Sequence, residues 1–366
     1  FIEVFIVAIF GSLLFFLLAN MVPALDTWPR EMELNPARSM NEGLTFLVVN
    51  FRDQIESIKT FAFFFVMLPA KIGLQGSVSP FTWGFELQSW HSISYGVVMS
   101  LIALWCGLRF SQQVAFIVLL FAIFFYVGLT KMPWLAVIII YSFIALRVSG
   151  YKLGIATFIG LLFLALSGIW PETMLSVYLC GIAVIVSFLA GSALGIWAAN
   201  NDTVSTILRP INDTLQTMPL FVILIPFVMI FKIGEFTALL AIIAYAIVPA
   251  IRYTEHGLRN VPTGVLEAAN MMGCTNKQML WLVKVPLALP VMMLGLNQTI
   301  MFGIAMLVIA ALVGTNGLEQ IVYIGLSDGN FGVGLIAGMG LAIIAMIADR
   351  MTQSWSHSRQ EKYGII

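Results

Sequence analysis

Residues 174–199 read MLSVYLCGIAVIVSFLAGSALGIWAA, twenty-six positions without a charged side chain. A helix of about 20 apolar residues crosses a hydrocarbon core of about 30 Å, so this run is long enough to span a bilayer. In lipid an unpaired backbone group costs several kcal/mol, which makes the run helical. Further apolar runs lie at about 4–22, 92–108, 113–129, 133–148, 153–170, 219–233, 237–251, 289–313 and 333–349, making about ten transmembrane helices in all. The expected fold is an all-α polytopic membrane protein.

Composition points the same way. Of 366 residues 60% are hydrophobic and 10% charged, where a soluble domain carries roughly 25% charged residues. The excess apolar surface must face lipid. Eighteen basic and eighteen acidic residues cancel, which removes the electrostatic footprint of a nucleic-acid binder. Cys106, Cys180 and Cys274 are far apart and form no CxxC pair or Cys/His cluster. Neither a disulfide scaffold nor a metal site is expected, and no cofactor is implied. Gly325 to Gly329 matches G-x-S-x-G but is flanked by membrane-helix sequence instead of a strand and a partnering histidine, so no catalytic residue is assigned. No GxxxxGK[ST] occurs, and any dependence on ATP must come from a partner. Residues 1–22 have no basic leader and are too long for a cleaved signal, so an uncleaved span is expected there.

Lys and Arg are retained on the cytoplasmic side. With the C-terminus inside, Arg109, Arg147, Lys152, Arg209, Arg252, Arg259, Lys277, Lys284, Arg350, Arg359 and Lys362 are cytoplasmic, eleven of the eighteen. Five of the other seven lie in the loop of about 70 residues after the first span, which is too long for the charge rule to govern. Within that loop Ser39 and Glu42 are spaced as a capping box, and Leu44, Val48, Phe51, Ile55, Ile58, Ala62 and Phe65 follow at intervals of four and three. The pattern predicts an amphipathic helix that breaks near Pro69.

One cytoplasmic loop has helix signals of its own. In residues 252–288, Pro262 and Thr263 open a short helix, Thr263 as its cap, with Glu267 near its start and Gly273 at its end. Thr275 and Gln278 form a second capping box, and a second helix through Leu280, Trp281 and Val283 is expected to stop at Pro286. A helix, a glycine corner and a helix make a rigid projection suited to docking in a partner's groove.

Glu267-Ala268-Ala269, then Gly273, then Val283-Lys284-Val285-Pro286 resembles the EAA loop of permease subunits of binding-protein-dependent ABC importers. Gln216-Thr217-Met218-Pro219, Asn297-Gln298-Thr299 and Asp349-Arg350 look like the betaine, choline and proline branch of these permeases. The resemblance implies a permease core over 131–350, preceded by an N-terminal extension over 1–130 that holds the first span, the amphipathic helix and two further spans. A cytoplasmic tail over 351–366 follows it. It also implies a multi-pass protein of the bacterial cytoplasmic (inner) membrane carrying a small quaternary-ammonium or methylamine compound such as glycine betaine, choline or trimethylamine N-oxide. Glu267, Ala268, Ala269 and Gly273 would dock on an ATPase subunit, a solute-binding protein would deliver cargo from outside, and two copies of the chain would form the pathway.

Asn297, Gln298 and Thr299 sit inside a span, where polar groups either bond between helices or line a path. Gly191 with Gly195, and Gly334 with Gly338, are spaced for close helix approach. The alternative reading, a secondary transporter or channel, needs ionisable groups at midplane. Only Glu3, near an end, and Lys232 and Glu235, at a turn, come near that requirement.

Overall fold

The computed structural model describes residues 36–68, 70–71, 89–109 and 134–362, with isolated positions at 11, 12, 115, 118, 119 and 122. The expected spans at 4–22 and 113–129 lie outside these residues. Among the described residues every regular element is helical.

A first unit, Phe1–Arg52, contains α1 (Pro36–Asn50). The helix begins at Pro36, three residues before Ser39, so Ser39 lies inside it and does not cap it. Proline's fixed φ already suits the first helical position.

The second unit, Asp53–Ile366, holds everything else. Here the amphipathic stretch is α2 (Arg52–Ala62), which closes in a π-helical turn over Phe63–Met67. After α3 (Ser89–Arg109) come α4 (Trp134–Ser149) and α5 (Tyr151–Leu166), a pair of packed helices of 16 residues each. Among the described residues four helices are long and apolar enough to cross a membrane: α6 (Trp170–Asn200), α9 (Glu235–Arg259), α11 (Asn276–Val313) and α13 (Phe331–Lys362). Of their apolar windows 61% is buried for α9, 44% for α6 and for α11, and 17% for α13, so α9 is the central helix.

Close contact explains that centrality. A Cβ on Gly191 would lie 2.6 Å from Ala250 Cβ, and one on Gly195 2.7 Å from both Ile251 O and Thr254 Cβ, so this glycine pair brings α6 onto α9. The second pair divides. Gly334 faces Gly325, whose added Cβ would meet Gly334 Cα at 2.7 Å, whereas Gly338 has nothing within 4 Å. Leu179 and Ala183 of α6, Leu239 and Ile242 of α9, and Met306 and Leu307 of α11 fill the core, and Met67 of the outer segment is fully buried in the same cluster.

Two expectations are corrected and one helix is added. The span expected at 219–233 is α8 (Leu220–Phe231), 12 residues, or about 18 Å. It follows α7 (Asp202–Thr217) directly and is bent from it by 104°. The polar α7 escapes any search for apolar runs. The second helix of the inner loop does not stop at Pro286. Instead Met279–Lys284 widen into a π turn, with Val285 N–H bonding back five residues to Leu280 O, and the helix continues as α11 for 38 residues in all. A π turn gives proline's ring the room that an α turn denies it. Lastly, Leu318–Ser327 form a short helix, α12, that no apolar run in the sequence had announced. The G-x-S-x-G residues are its end and the turn after it.

Candidate functional site: the inner elbow and the polar groups behind it

The loop between α9 and α11 folds as predicted in outline and differs in two details. Its first helix, α10 (Thr263–Met271), is preceded by Pro262 in extended conformation, so Thr263 is the first helical residue and no side chain caps the end. Glu267 is the fifth of nine residues and outside the first turn, so the helix dipole does not account for it. At the other end Cys274 N–H bonds to Ala269 O at 3.2 Å and Gly273 N–H to Asn270 O at 3.0 Å, with Gly273 at φ +80. This is a Schellman closure, whose left-handed corner favours glycine.

The next helix starts at once. Gln278 N–H donates to Thr275 Oγ1 at 3.4 Å and Thr275 N–H to Gln278 Oε1 at 2.9 Å, completing the capping box. Only Gly273 and Cys274 separate Met272, which closes one helix, from Thr275, which caps the next, and both ends have partners for their backbone groups. The elbow is rigid for that reason. Glu267, Ala268 and Gly273 are exposed and Ala269 is buried. Met271 at 91%, Met272 at 85%, Leu282 at 69% and Trp281 at 59% leave an apolar surface bare on a projection carrying polar neighbours. An uncovered cluster of this kind marks an interaction surface.

Behind the elbow, the inner end of α9 is tied to α7. Glu255 Oε1 accepts from Ser205 Oγ at 2.6 Å and lies 3.0 Å from Arg259 Nε and 3.8 Å from Arg209 Nη2. Arg259 also meets Asp202 Oδ1 at 2.8 Å and donates to Ala198 O at 2.8 Å, and Arg252 pairs with Asp213. These groups surround a polar cavity of about 690 Å³.

In the span, Asn297 Nδ2 donates to Asp349 Oδ1 at 2.8 Å and Thr352 Oγ1 donates to Asn297 Oδ1 at 2.8 Å. Thr299, fully buried, donates to Gly295 O of its own helix at 2.8 Å. Gln298 is half-buried. Two of the stretches singled out in the sequence, Asn297-Gln298-Thr299 and Asp349-Arg350, thus meet across α11 and α13.

Sequence reasoning missed two buried carboxylates. Glu255 was counted among loop residues because α9 was ended too early. Glu319, 1% exposed in the first turn of α12, accepts from Ser176 Oγ at 2.6 Å, and no cation pairs with it among the described residues. The helix N-terminus suits its charge. At the outer end, Lys71 pairs with Glu235 at 2.6 Å and Lys59 donates to Phe231 O at 3.3 Å, so α2 and the segment after it are fastened to the α8–α9 turn. Lys59, Lys71 and Lys232, none of them in the cytoplasmic set, gather at the end opposite the elbow. Among the described residues no three His, Cys, Asp or Glu side chains gather as metal ligands would.

Residues 191–354 match the family described as the binding-protein-dependent transport system inner membrane component. The glycine betaine/proline betaine transport system permease protein ProW of Escherichia coli (strain K12) is 38% identical over 226 residues, 62% of this chain and 64% of that protein. The trimethylamine N-oxide transport system permease protein TmoV of Pelagibacter ubique is 40% identical over 205 residues, 56% of this chain and 29% of that one. The glycine betaine transport system permease protein OpuAB of Bacillus subtilis (strain 168) is 37% identical over 227 residues, covering 62% of this chain and 80% of the relative. The chain belongs to this family.

As a permease of that family it is a multi-pass protein of the bacterial inner membrane. It spans 64% of the length of the Escherichia coli relative. The matched stretch contains the elbow, Asn297-Gln298-Thr299 and Asp349-Arg350, while the permease's α4 and α5 precede it.

Proposed function

We propose that this chain is the translocation subunit of an ATP-driven importer for a small quaternary-ammonium or methylamine compound, glycine betaine, choline or trimethylamine N-oxide being the expected cargoes. The observation that carries the reading is the elbow: a doubly capped projection on the inner side whose Met271, Met272, Trp281 and Leu282 are bare. An ATPase subunit would cover that surface, contacting Glu267, Ala268 and the Gly273 corner, with Ala269 turned inward to seat α10. A solute-binding protein would deliver cargo to the outer face, and two copies of the chain would enclose the path. The cargo class is supported by relatives named for betaine and trimethylamine N-oxide transport. Among Asn297, Gln298 and Thr299, pathway contact falls first to Gln298, since the other two side chains are engaged in hydrogen bonds within the chain.

The test is reconstitution of the chain with its ATPase and binding protein in liposomes. Glu267→Lys reverses charge on the docking face and should abolish ATP-driven uptake of labelled betaine, choline or trimethylamine N-oxide while the protein still inserts and folds. Undiminished uptake by that variant removes the docking role from Glu267, and uptake by the chain without any ATPase overturns the importer reading itself.

A further inference from the structure

α7 is attached to the rest of the chain in an unusual way. The residues it buries are Ser205 and Asn212, both polar, while Ile207 and Ile211 are 58% and 49% exposed. No residue of α7 belongs to any of the apolar clusters among the described residues. What holds it is polar: Ser205 to Glu255, Arg209 to Glu255, Asp202 to Arg259 and Asp213 to Arg252. All four ties end on the last two turns of α9.

The other end of α7 is a break. Met218 and Pro219 are both extended, with ψ of 136 and 135, and the chain turns through 104° into α8. Thr217 spends its hydroxyl on Asp213 O and Thr214 O of its own helix, making no tie across the corner. Pro219 has no N–H to offer. α8, by contrast, buries Ile223 and Leu224 in the main core. A limb held only by polar attachments, beyond a corner where Met218 packs on the main core, is built to swing as a body about a few terminal residues.

The attachments lie next to the elbow in sequence. Arg252, Glu255 and Arg259 fall on one face of α9, and only Asn260, Val261 and Pro262 separate Arg259 from α10. Glu255 is the hub: its side chain is 12% exposed, and one oxygen accepts from Ser205 Oγ and lies within ion-pair distance of both Arg259 and Arg209. Displacing α10 moves α9's end, and Glu255 carries that movement to Ser205 and Arg209. The polar cavity between α7 and α9 gives the limb space to move into.

We infer that α7 is the moving inner limb of the pathway, hinged at Met218–Pro219, and that Glu255 is the positioning residue through which the elbow drives it. This rests on the importer reading above. The test uses the full transporter, permease with ATPase and binding protein, in inside-out vesicles, with Cys106, Cys180 and Cys274 replaced by Ser and a reporter at Asn212→Cys. Its labelling rate with a membrane-impermeant maleimide should change about tenfold between nucleotide-free and vanadate-trapped states, the size of an ordinary coupling free energy. In Glu255→Gln the rate should lose its dependence on nucleotide and uptake per ATP hydrolysed should fall about tenfold while hydrolysis continues. Glu255→Asp should restore part of both. A labelling rate equal in the two states, in a parent transporter that performs ATP-driven uptake, overturns the moving limb. Normal uptake per ATP in Glu255→Gln overturns the role of Glu255. Should Glu255→Gln fail to fold, Asp202→Asn, at a residue 91% exposed in its side chain, cuts one of the same ties and must reduce the nucleotide-dependent change. A parent without ATP-driven uptake is a failure of the importer reading instead.

Discussion

Gly273→Ala isolates one physical term in the elbow. Gly273 has φ +80 and an added Cβ would have nothing within 4 Å, so the substitution creates no collision and its cost is that of the left-handed backbone alone. For an L-residue that cost is about 1–2 kcal/mol, which shifts the balance between the capped and opened elbow about 5- to 30-fold. Apparent affinity for the ATPase falls only as far as the competent fraction falls. The expected order of coupling is therefore Gly, then Asn, which tolerates this conformation, then Ala, then Pro, which also loses the N–H bonded to Asn270 O. The assay is uptake and ATPase binding of the four proteins at equal membrane content. Equal performance of Gly273→Ala and Gly273→Asn with the parent would show that the corner does not hold the elbow, and the reasoning from its caps would fall.

Other substitutions test other parts. Gly195→Ala puts a Cβ 2.7 Å from Ile251 O and should lower thermal stability in detergent by about 1–3 kcal/mol, while Gly338→Ala, with open space around it, should leave the melting curve unchanged. Asn297→Leu deprives Asp349 of its donor on α11 and should cost about 1–3 kcal/mol of stability, read from the same melting curves. Ala269→Leu, at a buried position, should lift α10 and raise protease sensitivity of the 260–280 region, whereas Ala268→Leu on the exposed side should not; equal cleavage would refute the inward seating of Ala269.

The helices that sequence revealed are those whose apolar length exceeds what any other environment would tolerate: α6, α9, α11 and α13 declare themselves by composition. The elbow was legible because caps are local chemistry, and Thr275 with Gln278 need no knowledge of the rest of the chain. Three kinds of feature were hidden. α7 is polar and short, so a search for apolar runs passes over it, and α8, to which it is joined at a sharp bend, looked like a span of its own at 219–233. Pro286 reads as a stop signal in an α-helix, yet the chain continues through it after a π turn at Met279–Lys284, a local widening that no residue pattern announces. The carboxylates Glu255 and Glu319 became visible only in three dimensions, since their partners Ser205 and Ser176 are 50 and 143 residues away.

Solvent-facing loops ordinarily absorb insertions and deletions with little consequence. The segment from Thr263 to Lys284 is an exception. Within its second helix, one extra residue ahead of Met279 would rotate everything downstream by about 100° about the helix axis and aim Trp281 and Leu282 elsewhere. Loop length here acts as a phase setting, and a family member that altered it would need a compensating change in whatever surface receives the projection.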